Sequence, residues 1–348
     1  MVVKTTRAPD YRGLLQHGEK LLAAGDLSGS RDCYLRLLAG DAEGAAAANL
    51  GMADLRAYVW KAALSWSRRA RRLTPDNPDA AFIPALVHAF VGDGKKAVYW
   101  CRRVLDIDYD FFDAHLLLAN IGMPGPDYFE LLSRIHHYLR PVNYLEIGVM
   151  NGDSLKLVMD GTKAVGIDPD PQISFPLGKN TKVFTMTSDD FFASGLTEEE
   201  FGCEPVQLAF VDGMHVFEYA LRDFINIEKR GCRGTVVLFH DCYPLDEITS
   251  LSERMTLFWT GDVWKIIVCL KKYRPDLKID VIKTGPSGLG VVTGLDPSNR
   301  VLAENLDEII SEFEEFDFDY LLRYKDRKLN AVHNSWQTVQ EILDDRLA

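Results

Sequence analysis

The chain has 348 residues, 47% of them hydrophobic, which suits two domains with separate cores. A net charge of −12 argues against a general nucleic-acid or anionic-membrane binder, and no apolar run reaches the length of a membrane span. Six cysteines without a Cys-x-x-Cys pair read as reduced thiols, and residues 1–7 lack a signal peptide's apolar region, so a cytoplasmic protein is expected.

Residues 11–120 read as a helical repeat. Segments 61–69 and 95–103 align without a gap, placing Trp66 and Trp100 34 positions apart. The same offset links Ala63 to Ala97, Leu73 to Ile107, Asp79 to Asp113 and Ala80 to Ala114. Gly25-Asp26 and Gly92-Asp93, 67 apart, mark an earlier copy close to two periods away. A 34-residue period of paired helices resembles tetratricopeptide (TPR) repeats, with 73–78 (Leu-Thr-Pro-Asp-Asn-Pro) as an inter-repeat connection. The resemblance implies an all-α solenoid of about three units that offers a protein partner a concave surface, forms a rigid wall against the enzyme domain, or serves as a dimer interface. Trp66 and Trp100 are read as core, and the basic run Arg68, Arg69, Arg71 and Arg72 as a solvated helix face.

Met123-Pro-Gly-Pro126 breaks the helical pattern, giving expected domains at 1–122, 123–296 and 297–348. After a helix over 127–139, the apolar run 144–147 reads as a buried strand. It carries Glu146, then Gly148 and Gly152, then Ser154, where a helix is expected to start. A second strand, 162–168, ends in Asp168, 20 residues past Gly148, where an acid can accept both hydrogen bonds of a ribose diol. A third, 183–186, precedes Ser188 and Asp189. Further strands fall at 206–211, 235–239, 277–281 and 289–292, with helices at 216–229 and 263–273. Alternating apolar strands and helices mean a doubly wound parallel sheet, and the short Gly/Pro turn at 284–289 closes it with an antiparallel strand.

Glu-x-Gly-x-x-x-Gly, without Gly-x-Gly-x-x-Gly or a phosphate-loop lysine, resembles motif I of class I S-adenosylmethionine (SAM) methyltransferases. Asp212-Gly-Met-His215 and His240-Asp241 at two strand ends, Phe217 and Asp223 on the next helix, and Gly261-Asp-Val-Trp-Lys265 resemble one subgroup. It includes the metal-dependent O-methyltransferases of macrolide sugars and relatives of the cephalosporin-hydroxylase family. The likeness implies a Rossmann-like seven-stranded methyltransferase domain between the solenoid and a helical tail. It implies SAM as cofactor, held by Glu146, Gly148, Gly152, Ser154, Asp168, Ser188, Asp189 and Asp212. It also implies a divalent ion (Mg or Mn) on Asp212 and Asp241, with His240 a third ligand, and His215 as general base toward a hydroxyl of a sugar or glycosylated metabolite.

A hydroxyl attacks the SAM methyl only as it loses its proton, which a hard cation and a nearby base promote. His240 stands where the macrolide-sugar enzymes have an acid. It is therefore either a softer ligand biasing the site toward Mn²⁺ or a core histidine at a strand end. Cys242, beside this site, reads as a packed bystander. The acidic tail from 305 keeps Leu306, Ile309, Ile310 and Phe313 at helical spacing, so one face packs on the enzyme, the repeats or a second subunit. Two rival readings remain: an NAD-linked oxidoreductase on the same sheet, and a TPR scaffold with a degenerate enzyme fold.

Overall fold

The computed structural model describes residues 11–38 and 43–345; residues 1–7, read above as free of a signal peptide, lie outside the described residues. The chain divides into two compact units, Met1–Ile121 and Gly122–Ala348.

The first unit is helical throughout its described residues: α1 (Tyr11–Ala23), α2 (Leu27–Leu37), α3 (Glu43–Arg56), α4 (Trp60–Leu73), α5 (Pro78–Phe90), α6 (Gly94–Leu105) and α7 (Phe112–Gly122). The last residue of α7 falls just past the division. Helices pack in sequential pairs, α1 on α2, α3 on α4 and α5 on α6, with α2–α3 and α4–α5 contacts joining the pairs. Ala63 and Ala97, and Ala80 and Ala114, are all fully buried, so the 34-residue period is a packing period. Gly25 and Gly92 take left-handed backbone (φ 84° and 78°), and the aspartate after each caps the next helix. Asp26 accepts from the Gly29 amide at 2.9 Å and Asp93 from the Lys96 amide at 3.2 Å. Trp66 and Trp100 are half-buried against the small-residue core. The basic run is only partly solvated, because Arg69 pairs with Glu43 and Arg71 lies 4.3 Å from the centre of the Trp100 ring.

The second unit opens with α8 (Tyr128–Leu139), capped by Asp127, and β1 (Asn143–Ile147). The expected helix after β1 does not form. A single 3-10 turn, Leu155–Leu157, leads on to β2 (Lys163–Asp168). Then follow β3 (Thr181–Thr185), α9 (Ser188–Ala193), α10 (Leu196–Phe201), β4 (Leu208–Val211), α11 (Phe217–Arg230), β5 (Val236–Phe239), α12 (Trp264–Tyr273), β6 (Lys278–Ile282) and β7 (Leu289–Thr293). The tail supplies α13 (Val301–Glu304), α14 (Leu306–Glu314), α15 (Phe318–Leu322), α16 (Lys325–Lys328), β8 (Ala331–Val332) and α17 (Trp336–Asp344).

The sheet runs β3-β2-β1-β4-β5-β7-β6-β8, with β7 antiparallel to both its neighbours. It has eight strands among the described residues rather than the seven expected, because β8 pairs in parallel with β6. Alternating side chains divide between two cores. Leu145, Ile147, Val165, Ala209, Val237 and Phe239 face α11, α12 and the tail residues Ile309 and Phe313. Tyr144, Ala164, Leu208, Phe210, Val236 and Leu238 face Leu131 and Ile135 of α8 and Val339 and Leu343 of α17. The tail thus contributes to both faces of the enzyme unit.

Candidate active site

β1 places Glu146 on the face it shares with Tyr144, two residues away, and the side chain is fully buried. The Tyr144 hydroxyl donates to Oε2 at 2.5 Å and the Ser154 hydroxyl to Oε1 at 2.6 Å. Burial raises the Glu146 pKa to about 8, against those two hydrogen bonds. Glu146 and Ser154, both expected to hold the cofactor, are hydrogen-bonded to each other. Ser154 cannot cap a helix while its hydroxyl reaches back to β1, which accounts for the single 3-10 turn.

Asp168, at the end of β2, clasps the same loop. Its Oδ2 accepts from the Val149 and Met150 amides, each at 2.8 Å, and its Oδ1 from the Asp170 amide at 2.7 Å. Gly148 (φ 86°) lies against the β4 loop, where a Cβ would come 2.8 Å from the Gly213 Cα and closer still to the Asp212 carbonyl. A Cβ on Gly152 (φ 75°) would meet the Phe175 ring at 2.9 Å. Ser188 begins α9 and lies near enough to Asp223 of α11 to oppose the rise that burial gives its pKa, while Asp189 sits in the exposed first turn.

The ends of β4 and β5 bring Asp212, His215, His240 and Asp241 together. His215 Nδ1 lies 2.9 Å from Asp241 Oδ2 and 3.3 Å from the Trp259 carbonyl, and its Nε2 is 3.4 Å from Asp212 Oδ1. His240 Nδ1 lies 3.0 Å from Asp212 Oδ1 and 3.4 Å from Asp241 Oδ2, and its Nε2 meets the Ser287 hydroxyl at 3.2 Å. His215 and Asp241 both occupy left-handed backbone (φ 56° and 60°), uncommon for these residues and concentrated at functional sites. Gly261 allows the first of these turns, since a Cβ there would overlap the His215 carbonyl. Asp262 then caps α11 from a distance, accepting from the Phe217 amide at 2.7 Å.

The electrostatics are those of two carboxylates facing two imidazoles. Burial opposes charge on His240, but Asp212 and Asp241 outweigh it and raise its pKa to about 10. Burial likewise opposes charge on His215, and Asp241 chief among its neighbours raises it well above the usual value. Burial would raise Asp212, yet His240 and His215 hold it down to about 2, and Asp241 falls below the normal carboxylate range for the same reason.

Asp212, His240 and Asp241 each offer an atom within 4.8 Å of the others. They line a cavity of about 10 Å³, together with His215, Asp223 and Val263. That is about the space of one water molecule or ion. Asp241 Oδ2 is buried and lacks a well-formed hydrogen bond despite its short approach to His215. Two carboxylates, one imidazole and an under-satisfied buried oxygen around so small a space fit a divalent cation, whose binding would displace protons from the cluster.

Several contributors escaped sequence reading. Trp259 stacks on the His215 ring (5.2 Å between centroids, 16° between planes), Tyr128 of α8 packs 4.2 Å from the His240 ring, and Ser287 comes from the β6–β7 turn. Only Trp259 carried a local signal, being an aromatic just ahead of the Gly261-Asp262 pair. Cys242 is fully buried and its thiol is pushed up by burial, as befits a packed residue.

Residues 145–242, from β1 to just past Asp241, match a family model described as a methyltransferase domain. The match lies wholly within the second unit. No curated protein matches. Among solved structures, the O-methyltransferase TomG from Streptomyces achromogenes, in complex with SAM, is 16% identical over 49% of this chain and 80% of its own, with a TM-score of 0.40. MamA is 21% identical over 32% of this chain, with a TM-score of 0.29, and the match spans 66% of its length, just under two thirds. A Thermobaculum terrenum O-GlcNAc transferase mutant is 14% identical over 59% of this chain and 46% of its own, with a TM-score of 0.34. Likenesses of this size bear on neither substrate nor partner.

Proposed function

We propose that the second unit transfers the methyl group of SAM to a hydroxyl of a sugar or glycosylated metabolite, with a divalent ion held by Asp212, His240 and Asp241. The observation that carries this reading is the ion-sized cavity ringed by those three residues and His215, within the methyltransferase-matched stretch. When bound, the ion supplies Lewis acidity toward the acceptor's hydroxyl. The imidazole in its donor set favours Mn²⁺ over Mg²⁺.

His215 takes the proton. Its Nδ1 faces Asp241 and the Trp259 carbonyl, and its Nε2, 3.4 Å from Asp212 Oδ1, would be the basic nitrogen once a cation on Asp212 and Asp241 offsets the charge that otherwise keeps the ring protonated. Asp241 stabilises the imidazolium that forms, and Trp259 covers one face of the ring and fixes its plane. As the O–H proton passes to Nε2, the new O–CH3 bond forms, the S–CH3 bond breaks, and the sulfur keeps its electron pair. Glu146 works as a positioning residue, since its oxygens hold Tyr144 and Ser154. Asp168 is assigned to the ribose side of the cofactor, trading loop amides for the ribose hydroxyls. Gly148, Gly152, Ser188 and Asp189 shape the crevice between.

For the helical unit we infer a protein-binding role, on its stacked-pair architecture. Six free cysteines, four of them buried, suit a reducing cytoplasm. Mass spectrometry of SAM-dependent methyl transfer across sugars, phenols and carboxylates, with and without chelator, tests the enzyme reading. A methylated hydroxyl whose yield falls with chelator is expected; transfer to carboxylates alone, or full activity in chelator, would overturn the acceptor or the metal role.

A further inference from the structure

At the opposite end of α12 from the active site lies a second recess. Lys271 is seven residues past Trp264, the first residue of α12, so the recess sits about 10 Å along the helix from its start. This groove of 450 Å³ lies between α12 and the tail, and no acid lines it. Its walls are Val268, Lys271 and Lys272 of α12, Tyr320 of α15, and Tyr324, Arg327 and Lys328 at and on α16. In a chain of net charge −12, four lining cations, of which only Lys272 is offset by an acid, are a local inversion of the surface.

The cations differ in their commitments. Lys272 is neutralised by Glu312. The Lys271 ammonium donates to the Arg327 and Lys328 carbonyls at 3.0 and 2.9 Å, tying α16 to α12 and keeping its charge in the groove. Lys328 donates to the Tyr320 carbonyl and lies 3.6 Å from the centre of that ring, whose stacking on Phe316 (4.4 Å, 12°) holds it in place. Arg327 is exposed and forms no ion pair among the described residues. Lysines in the last turn of α12 also suit the helix dipole. That effect accounts for neither Arg327 nor Tyr324, which is 76% exposed and held in left-handed backbone (φ 67°), rare for a bulky side chain.

We propose that this groove binds a phosphorylated ligand with a flat ring, of the nucleoside diphosphate class. The phosphates lie among Lys271, Arg327 and Lys328, where the guanidinium can fork two oxygens, and the base lies on the open face of Tyr324. The recess is open to solvent, so the ligand would lie along it with one side exposed. The proposal is independent of the methyltransferase reading, because no residue of the groove belongs to the Asp212–His215–His240–Asp241 cluster.

The test is calorimetric titration of the full chain with UDP at low salt, with chelator and excess S-adenosylhomocysteine present to block the other site. Saturable one-to-one binding is expected. Arg327→Glu should abolish binding of both UDP and inorganic pyrophosphate. Tyr324→Ala should weaken UDP by roughly 5-fold or more while leaving pyrophosphate unchanged. Both side chains are exposed, and an unaltered melting temperature confirms that the variants fold. UDP binding that survives both substitutions overturns the site, as does its absence at millimolar ligand. Equal loss of UDP and pyrophosphate in Tyr324→Ala overturns the ring assignment.

Discussion

Replacing Gly148 by alanine should separate the two loops on which the active site rests. The backbone there has φ 86°, which adds about 1–2 kcal/mol for a residue with a Cβ. The new methyl would lie 2.8 Å from the Gly213 Cα and nearer to the Asp212 carbonyl. Both neighbours are backbone, so neither can rotate away, and the overpacking adds about 1–3 kcal/mol. The total, about 2–5 kcal/mol, corresponds to a melting temperature lowered by roughly 4–20 °C for a unit of this size. Asp212 moves with its own carbonyl, and a displacement approaching an ångström in a reacting constellation lowers turnover on the order of 100-fold. The measurements are thermal unfolding, Mn²⁺ titration and methyl transfer. Gly161→Ala is the control, since it shares a positive φ (98°) but nothing lies within 4 Å of its Cβ, so only the backbone term applies. If Gly148→Ala melts and turns over like Gly161→Ala, the close approach of the two loops is not what holds Asp212.

Three further outcomes are expected. His215→Asn, chosen because asparagine tolerates left-handed backbone, should lower kcat about 10²–10⁴-fold with SAM affinity intact; undiminished turnover means another base acts. Asp168→Ala should weaken SAM by roughly 10-fold or more by equilibrium dialysis, and unchanged affinity removes the ribose assignment. Burial, with the charge of His137 second, lowers the His136 pKa to about 4, below its usual 6.5. The folded state therefore binds this proton less readily. Its stabilising contribution is complete above pH 6.5, declines as pH falls through that value, and is lost by pH 4, a change of roughly 3 kcal/mol. His136→Phe should flatten the stability profile between pH 7 and 4 by that amount in denaturant titrations, and an unchanged profile would assign the acid loss elsewhere.

Much of the fold was legible because its signals are local. Parallel strands buried on both faces read as apolar runs, and β1, β4 and β5 appear within a residue or two of their expected limits. The repeat was legible because Ala63 and Ala97 fill equivalent buried positions. The illegible parts depend on partners distant in sequence. Ser154 looks like a helix cap until Glu146, eight residues back, claims its hydroxyl. The Tyr144 hydroxyl on Glu146 follows from the alternation of β1, which puts both side chains on one face, and no motif announces it. At the site, the His-Asp pairs were visible as motifs. The Ser287 hydroxyl, 47 residues from its partner His240, was not. Nor was β8, since two residues carry no periodicity.

The pairing of β8 with β6 has a practical consequence. A fragment ended at residue 296, the limit expected from sequence, would leave β6 as a bare margin with unpaired amides and carbonyls. It would also strip Ile309, Phe313, Val339 and Leu343 from the two cores. Such a margin is a template for strand addition by a neighbouring molecule. The shortened protein should self-associate in sedimentation, whereas β8 pairs with that side of the sheet when residues 331–332 are present.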